Sequence, residues 1–214
     1  GSVMMPRASH LIAEDKESEF NALIQKSYDF TLAIALPMTV GLICCAPNLI
    51  TSLCGVKFEN SILPSQIIAP IILMVAISNV FGIQVLFPKG KINIVTLCCG
   101  IGAVVDLVLN LCLIPFFSYV GTSIAYLGAE VATTISMFFI GRKYLPITYF
   151  KKNHLNYLLG CILMAIVLYA IADLQFSTIS ILILQGCSGI VVYFLVLCVR
   201  KDIFLMQVLS KIKK

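Results

Sequence analysis

Charge is what this sequence has least of. Asp, Glu, Lys and Arg make up 12% of its 214 residues, about half the share of a soluble domain. That scarcity argues against a water-soluble globule, because 60% of the residues are apolar and a body this small must present much of its surface to solvent. The solvent has to be lipid, in keeping with a mean hydropathy of +1.02. No basic run is interleaved with aromatic residues, so nucleic acid is not an expected partner. None of the nine cysteines forms Cys-x-x-Cys or stands at ligand spacing from His10 or His154, so no metal site is expected. There is no Ser/His/Asp array and no phosphate loop, so the chain is not expected to be an enzyme and needs no cofactor. The chain opens on Gly1-Ser2 without a signal peptide, and the natural protein is expected to extend further upstream.

What is present is a series of apolar runs, each close to the roughly 20 residues that a helix needs to cross a bilayer. Six can be drawn: Ser27 to Leu53, Ile62 to Phe87, Ile92 to Ile114, Val120 to Ile140, Leu155 to Ala172 and Ile179 to Val199. None alternates apolar with polar residues as a barrel strand would, so the fold class is all-α, a polytopic transmembrane bundle. Of the 15 Lys and Arg, only Lys57 falls in an outward loop if the chain starts inside. That split places both ends in the cytoplasm and supports six crossings. The expected organisation is a cytoplasmic loop with a short amphipathic helix over 1–26, a six-span lobe over 27–199, and a basic amphipathic tail over 200–214 on the inner membrane surface.

Inside these runs the costly groups are two carboxylates, Asp106 and Glu130. A charge at mid-bilayer costs at least ~2.5–3.5 kcal/mol and usually faces a bundle interior or a water-filled cavity. Asp106 lies about 12 Å, and Glu130 about 15 Å, from the outer ends of neighbouring antiparallel spans at the helical rise. The two acids are therefore expected to share one cavity, with Asn110 one turn from Asp106 and Asn79 from the preceding span. Two such acids suit a coupling H+ or Na+. Pro37, Pro47 and Pro70 interrupt the first two spans and are candidate helix pivots.

Several stretches are similar to one known family. Val3-Met4-Met5-Pro6-Arg7-Ala8-Ser9, Leu36-Pro37-Met38-Thr39-Val40-Gly41-Leu42, Gln84-Val85-Leu86-Phe87-Pro88-Lys89-Gly90-Lys91 and Val105-Asp106-Leu107-Val108-Leu109-Asn110-Leu111-Cys112-Leu113-Ile114-Pro115 resemble, in order and spacing, motifs of the bacterial polysaccharide flippases. These belong to the multidrug/oligosaccharidyl-lipid/polysaccharide exporter superfamily. The resemblance covers residues 1–143, and position 106 departs from it, being Asp where the family usually has Asn. It implies that this chain is the C-terminal half of a two-lobed transporter in the bacterial cytoplasmic membrane, needing its N-terminal half to form a cavity. Its implied activity is to move an undecaprenyl-pyrophosphate-linked oligosaccharide from the inner to the outer leaflet by alternating access, for surface polysaccharide. A pyrophosphate needs cationic partners, and at the cytoplasmic mouth these would be Arg7, Lys89 and Lys91.

A cation-coupled multidrug exporter of the same superfamily is the alternative, since intramembrane acids suit a cationic substrate. A membrane enzyme of glycan assembly would need a His, Asp or Arg cluster at one membrane face, which the sequence lacks. A purely structural subunit would not need acids at depth. The topology itself is testable: reporters fused after Lys91 and after Arg142 should report the cytoplasm, and one inserted beside Lys57 the opposite face. Any other pattern would break the six-span count.

Overall fold

The computed structural model describes residues 4–149, 151–172 and 178–200. Among these residues every regular element is helical. Helix is what a backbone must adopt where lipid offers its N–H and C=O groups no partner. In order the helices are α1 (Met4–Ala13), α2 (Glu17–Cys54), a 3₁₀ turn (Val56–Ser61), α3 (Ile62–Ile68), α4 (Ile71–Asn79), a π-helical segment (Val80–Leu86), α5 (Ile92–Gly141), α6 (Lys152–Ala172) and α7 (Thr178–Val199). Residues 201–214 of the expected basic tail lie outside the described residues.

Local chemistry explains the joints. Asp15 takes a left-handed φ of 58°, a conformation that Asp tolerates better than most residues. There the amide of Lys16 donates to Leu11 O at 3.0 Å and closes α1. The Lys16 ammonium lies 2.9 Å from the Glu14 carboxylate and holds that acid below its ordinary pKa. Glu17 and Glu19 then occupy the first turn of α2, where the helix dipole favours negative charge. At its far end α2 stops on Gly55, at a φ of 88°, a backbone shape that a side chain would resist.

Among the described residues, five helical stretches are long and apolar enough to cross a membrane, where the sequence suggests six. The difference lies in α5. Its 50 residues contain one non-helical position, Ser118, with φ 50° and ψ −126°, three residues after Pro115. Glycines show what that break does. A Cβ on Gly121 would stand 2.7 Å from Leu113 O, one on Gly128 would stand 2.7 Å from Leu109 Cδ1, and one on Gly102 would collide with the Thr133 hydroxyl. Residues 92–117 and 119–141 therefore pack against each other as antiparallel limbs, with small residues allowing close approach. These limbs are the third and fourth expected spans.

The second expected span is also interrupted. It is assembled from α3, a turn at Ala69-Pro70, α4 and the π segment. The first expected span is longer than drawn, since α2 runs unbroken through Pro37 and Pro47.

The chain divides into two compact units. One draws on Gly1–Leu32 and Ile71–Tyr149, the other on Ala33–Pro70 and Phe150–Lys214. In the first unit, Phe20, Ile24, Val85 and Leu86 are fully buried. The Ser27 hydroxyl donates to Gln84 Oε1 at 2.5 Å in that interior. Tyr28 stacks on Phe81 at 6.3 Å between centroids, and Tyr149 meets Phe138 edge-on at 4.9 Å. Burial pushes the Tyr149 hydroxyl above its usual pKa. The Thr148 amide donates to Gln25 Oε1 at 2.7 Å, pinning the segment that follows α5.

In the second unit, Gln185 is fully buried. It donates to Leu168 O at 3.1 Å and accepts from Asn48 Nδ2 at 3.1 Å. A buried amide paired on both sides is a stabilising contact rather than a liability.

The close approach at Gly121 gives a direct test. Gly121→Ala should destabilise the protein by about 1–3 kcal/mol by overpacking against backbone. Gly100→Ala, where a Cβ meets nothing within 4 Å, should stay within about 0.5 kcal/mol of the parent. Thermal unfolding in detergent reads both.

Candidate functional site

The hairpin of α5 opposite α4 and the π segment encloses a cavity of about 440 Å³ in the first unit. Spacing explains which residues reach it. Cys99, Gly102, Ala103 and Asp106 recur at helical intervals on the first limb, and Tyr126, Glu130, Thr133 and Met137 on the second. Steps of three and four residues keep a stripe on one helix face. Ser78 and Asn79 enter from the end of α4, and Gly82 and Ile83 from the π segment. A π-helical stretch shifts the register of the side chains that follow it and is frequent at functional sites. The Thr134 hydroxyl donates to Met74 O at 3.2 Å and ties the second limb to α4.

Asp106, Glu130 and Asn79 thus line one cavity, and its lining holds no Lys, Arg or His. Among the described residues, Asp106 Oδ1 is buried and has no hydrogen-bond partner. A buried carboxylate oxygen without a donor is costly, and a bound cation or proton would remove that cost.

Asn110 is placed differently. It does not line the cavity. Its Nδ2 turns back to donate to the Asp106 backbone carbonyl at 2.9 Å, one turn earlier in the same helix. The side chain spends its donor on its own backbone rather than in the cavity. Tyr126, Thr133, Ser78 and Cys99 were not singled out from sequence. Thr133 and Tyr126 could have been, since they flank Glu130 at +3 and −4.

The three basic candidates also separate. Arg7 is exposed on α1. Lys89 Nζ donates to Tyr144 O at 3.2 Å, lies 5.2 Å from the Phe20 ring centre, and shares a hollow of about 110 Å³ with Asp15 and Glu17. Lys91 and Lys143 both stand over the Tyr144 ring, at 5.3 and 5.0 Å. Lys89 and Lys91 therefore converge on Tyr144, and Lys89 has acids beside it.

The second unit holds a cavity of about 380 Å³ of a different kind, walled mostly by carbon. Pro37, Gly41, Met164, Ile190 and Phe194 line it, with Gln185 and Tyr193 as its polar members. Of the pivot candidates, Pro37 is in this wall. Pro47 lies further along α2, and Pro70 sits in the turn before α4.

The first cavity predicts a contrast between adjacent thiols. Cys99 lines it and is exposed, whereas Cys98 is fully buried. In single-cysteine variants a small methanethiosulfonate should modify position 99 readily and position 98 at least about tenfold more slowly. Equal rates would mean that the cavity is not open to water.

Comparison with known proteins supplies the family. No curated protein sequence matches this chain. A solved structure described as "Lipid II flippase MurJ, inward closed conformation" superposes with a TM-score of 0.78 at 17% identity, covering 96% of this chain and 43% of that one. The likeness shows a shared transmembrane helical fold, and this chain spans less than half of that relative's length. The family described as "Lipid II flippase MurJ" matches residues 1–188. The chain belongs to the MurJ lipid II flippase family and is a multi-pass membrane protein.

Proposed function

We propose that this chain works as one lobe of a flippase that carries lipid II, the lipid-linked precursor of peptidoglycan, from the inner to the outer leaflet of the bacterial cytoplasmic membrane. The family match over residues 1–188 carries this reading. It replaces the surface-polysaccharide substrate that the sequence motifs suggested. Both substrates present a lipid tail, a phosphate-bearing linkage and a polar head, so the demands on the protein are similar. The quoted motifs mark helix ends and the α5 turn rather than groups that would read a particular glycan, so they do not discriminate between the two.

In this reading both ends of the chain are cytoplasmic, a second lobe completes the central cavity, and the protein moves its substrate without chemistry on it. Asp106 and Glu130, facing one cavity of the first unit, serve as the coupling site for H+ or Na+. A cation there supplies the missing partner of Asp106 Oδ1 and links its own passage to a change of conformation. Lys89 and Lys91 around Tyr144, with Arg7 nearby in sequence to α1's exposed face, would meet the phosphates at the cytoplasmic mouth. The carbon-walled cavity of the second unit suits a hydrocarbon chain.

The test is depletion of the full-length gene in its host, scoring the leaflet in which lipid II resides. Lipid II should accumulate on the cytoplasmic face, and the wild-type gene should restore export. Asp106→Asn and Glu130→Gln should each restore it poorly, by about tenfold or more, since coupling between sites is typically worth roughly 5–150-fold. Normal lipid II distribution after depletion, with surface polysaccharide lost instead, would return the substrate to the other branch.

A further inference from the structure

A proline within a helix has no N–H to give, so the carbonyl four residues earlier loses its helical donor. In α2 those carbonyls are Ala33 O, below Pro37, and Ile43 O, below Pro47. Lipid cannot supply the missing donors. The structure supplies one to each from another helix of the same unit. Tyr193 Oη, on α7, donates to Ala33 O at 2.7 Å. Gln66 Nε2, on α3, donates to Ile43 O at 3.0 Å.

The Tyr193 contact lies in the interior, and the Gln66 contact is half-buried. Tyr193 is 4% exposed, and its ring lies against α6 at Gly160, where a Cβ would come within 2.9 Å of the ring. A larger residue at 160 would displace the hydroxyl from the Ala33 carbonyl. Tyr193 and Pro37 also share the wall of the apolar cavity. The same solution at two successive prolines, from two different helices and two different side chains, ties the caps to the prolines themselves.

We infer that Tyr193 and Gln66 are positioning residues that set the course of α2 by capping the carbonyls that Pro37 and Pro47 release. A cap of this kind differs from an ordinary helical bond in one respect. It is made by a side chain of a neighbouring helix, so α2 can flex at the proline by breaking one side-chain hydrogen bond and leaving its own ladder intact. Pro37 is then a point at which α2 can bend, and the Tyr193 hydroxyl is the group that holds it in the conformation seen. The inference goes beyond the substrate assignment and rests on the flippase reading only for its transport readout.

A double-mutant cycle in the full-length protein tests it. Tyr193→Phe keeps the ring and removes the hydroxyl. It should lower the thermal midpoint in detergent by about 2–4 °C. Pro37→Ala restores an amide at position 37 that bonds to the Ala33 carbonyl, so adding Tyr193→Phe in that background should change the midpoint by less than about 1 °C. Gln66→Leu with Pro47→Ala forms an independent second cycle, should a Tyr193 variant fail to fold. Equal drops in both backgrounds, or no drop in either, would overturn the inference. In proteoliposomes, Tyr193→Phe should alter lipid II flipping by about threefold or more. Unchanged flipping would overturn the positioning role and leave the flippase reading standing, whereas absence of flipping by the wild-type protein would count against the flippase reading alone.

Discussion

A bilayer interior has no water to lend to a backbone carbonyl or amide, and most of the irregular features of this chain answer to that constraint. At the two prolines of α2 the helical ladder is interrupted, and a group from elsewhere in the same unit steps in. Tyr193 and Gln66 serve the two carbonyls released in α2. Gln185 serves Leu168 O and is itself served by Asn48. Ser27 and Gln84 satisfy each other where the π segment passes the start of α2. Small polar side chains such as Thr51, Ser65 and Ser123 return a hydrogen bond to their own helix, which makes the exceptions informative.

The main exception is Asp106, whose Oδ1 is buried without a partner among the described residues. The limbs of α5 approach closely at Gly102, Gly121 and Gly128, while α4 and the π segment stand across from them. Asp106 lines the cavity beside this hairpin together with Glu130, Thr133 and Tyr126. An acidic cavity lies in one unit of the chain and a carbon-walled cavity in the other.

The helical spans were legible because hydropathy depends on composition over long windows. The joining of the third and fourth spans through Ser118 was not, since Pro115 marks a helix end as readily as a kink and nothing in the string of residues distinguishes them. That Asp106 and Glu130 line one cavity could be read from depth, because two antiparallel helices with a short link bring similar distances from the turn together. Asn110 shows the limit of that reasoning: a shared face does not say whether an amide reaches into the cavity or back to its own backbone. The motifs led to the superfamily, and the family match over residues 1–188 gave its lipid II branch, since residues that shape helix ends and turns need not touch a cargo.

By itself the sequence determined that the chain is a helical membrane protein with acids at depth and prolines in its first two spans, because the cost of placing a charge or an unpaired backbone group in lipid acts on each residue wherever its neighbours are. Only the tertiary structure decided which carbonyl each distant side chain serves, which acid is left unpartnered, and which stripe of each helix faces a cavity. Those outcomes depend on residues as far apart as Ala33 and Tyr193 arriving within hydrogen-bonding distance. An apolar helix presents nearly the same face in every direction, so its sequence carries little record of which neighbour it meets.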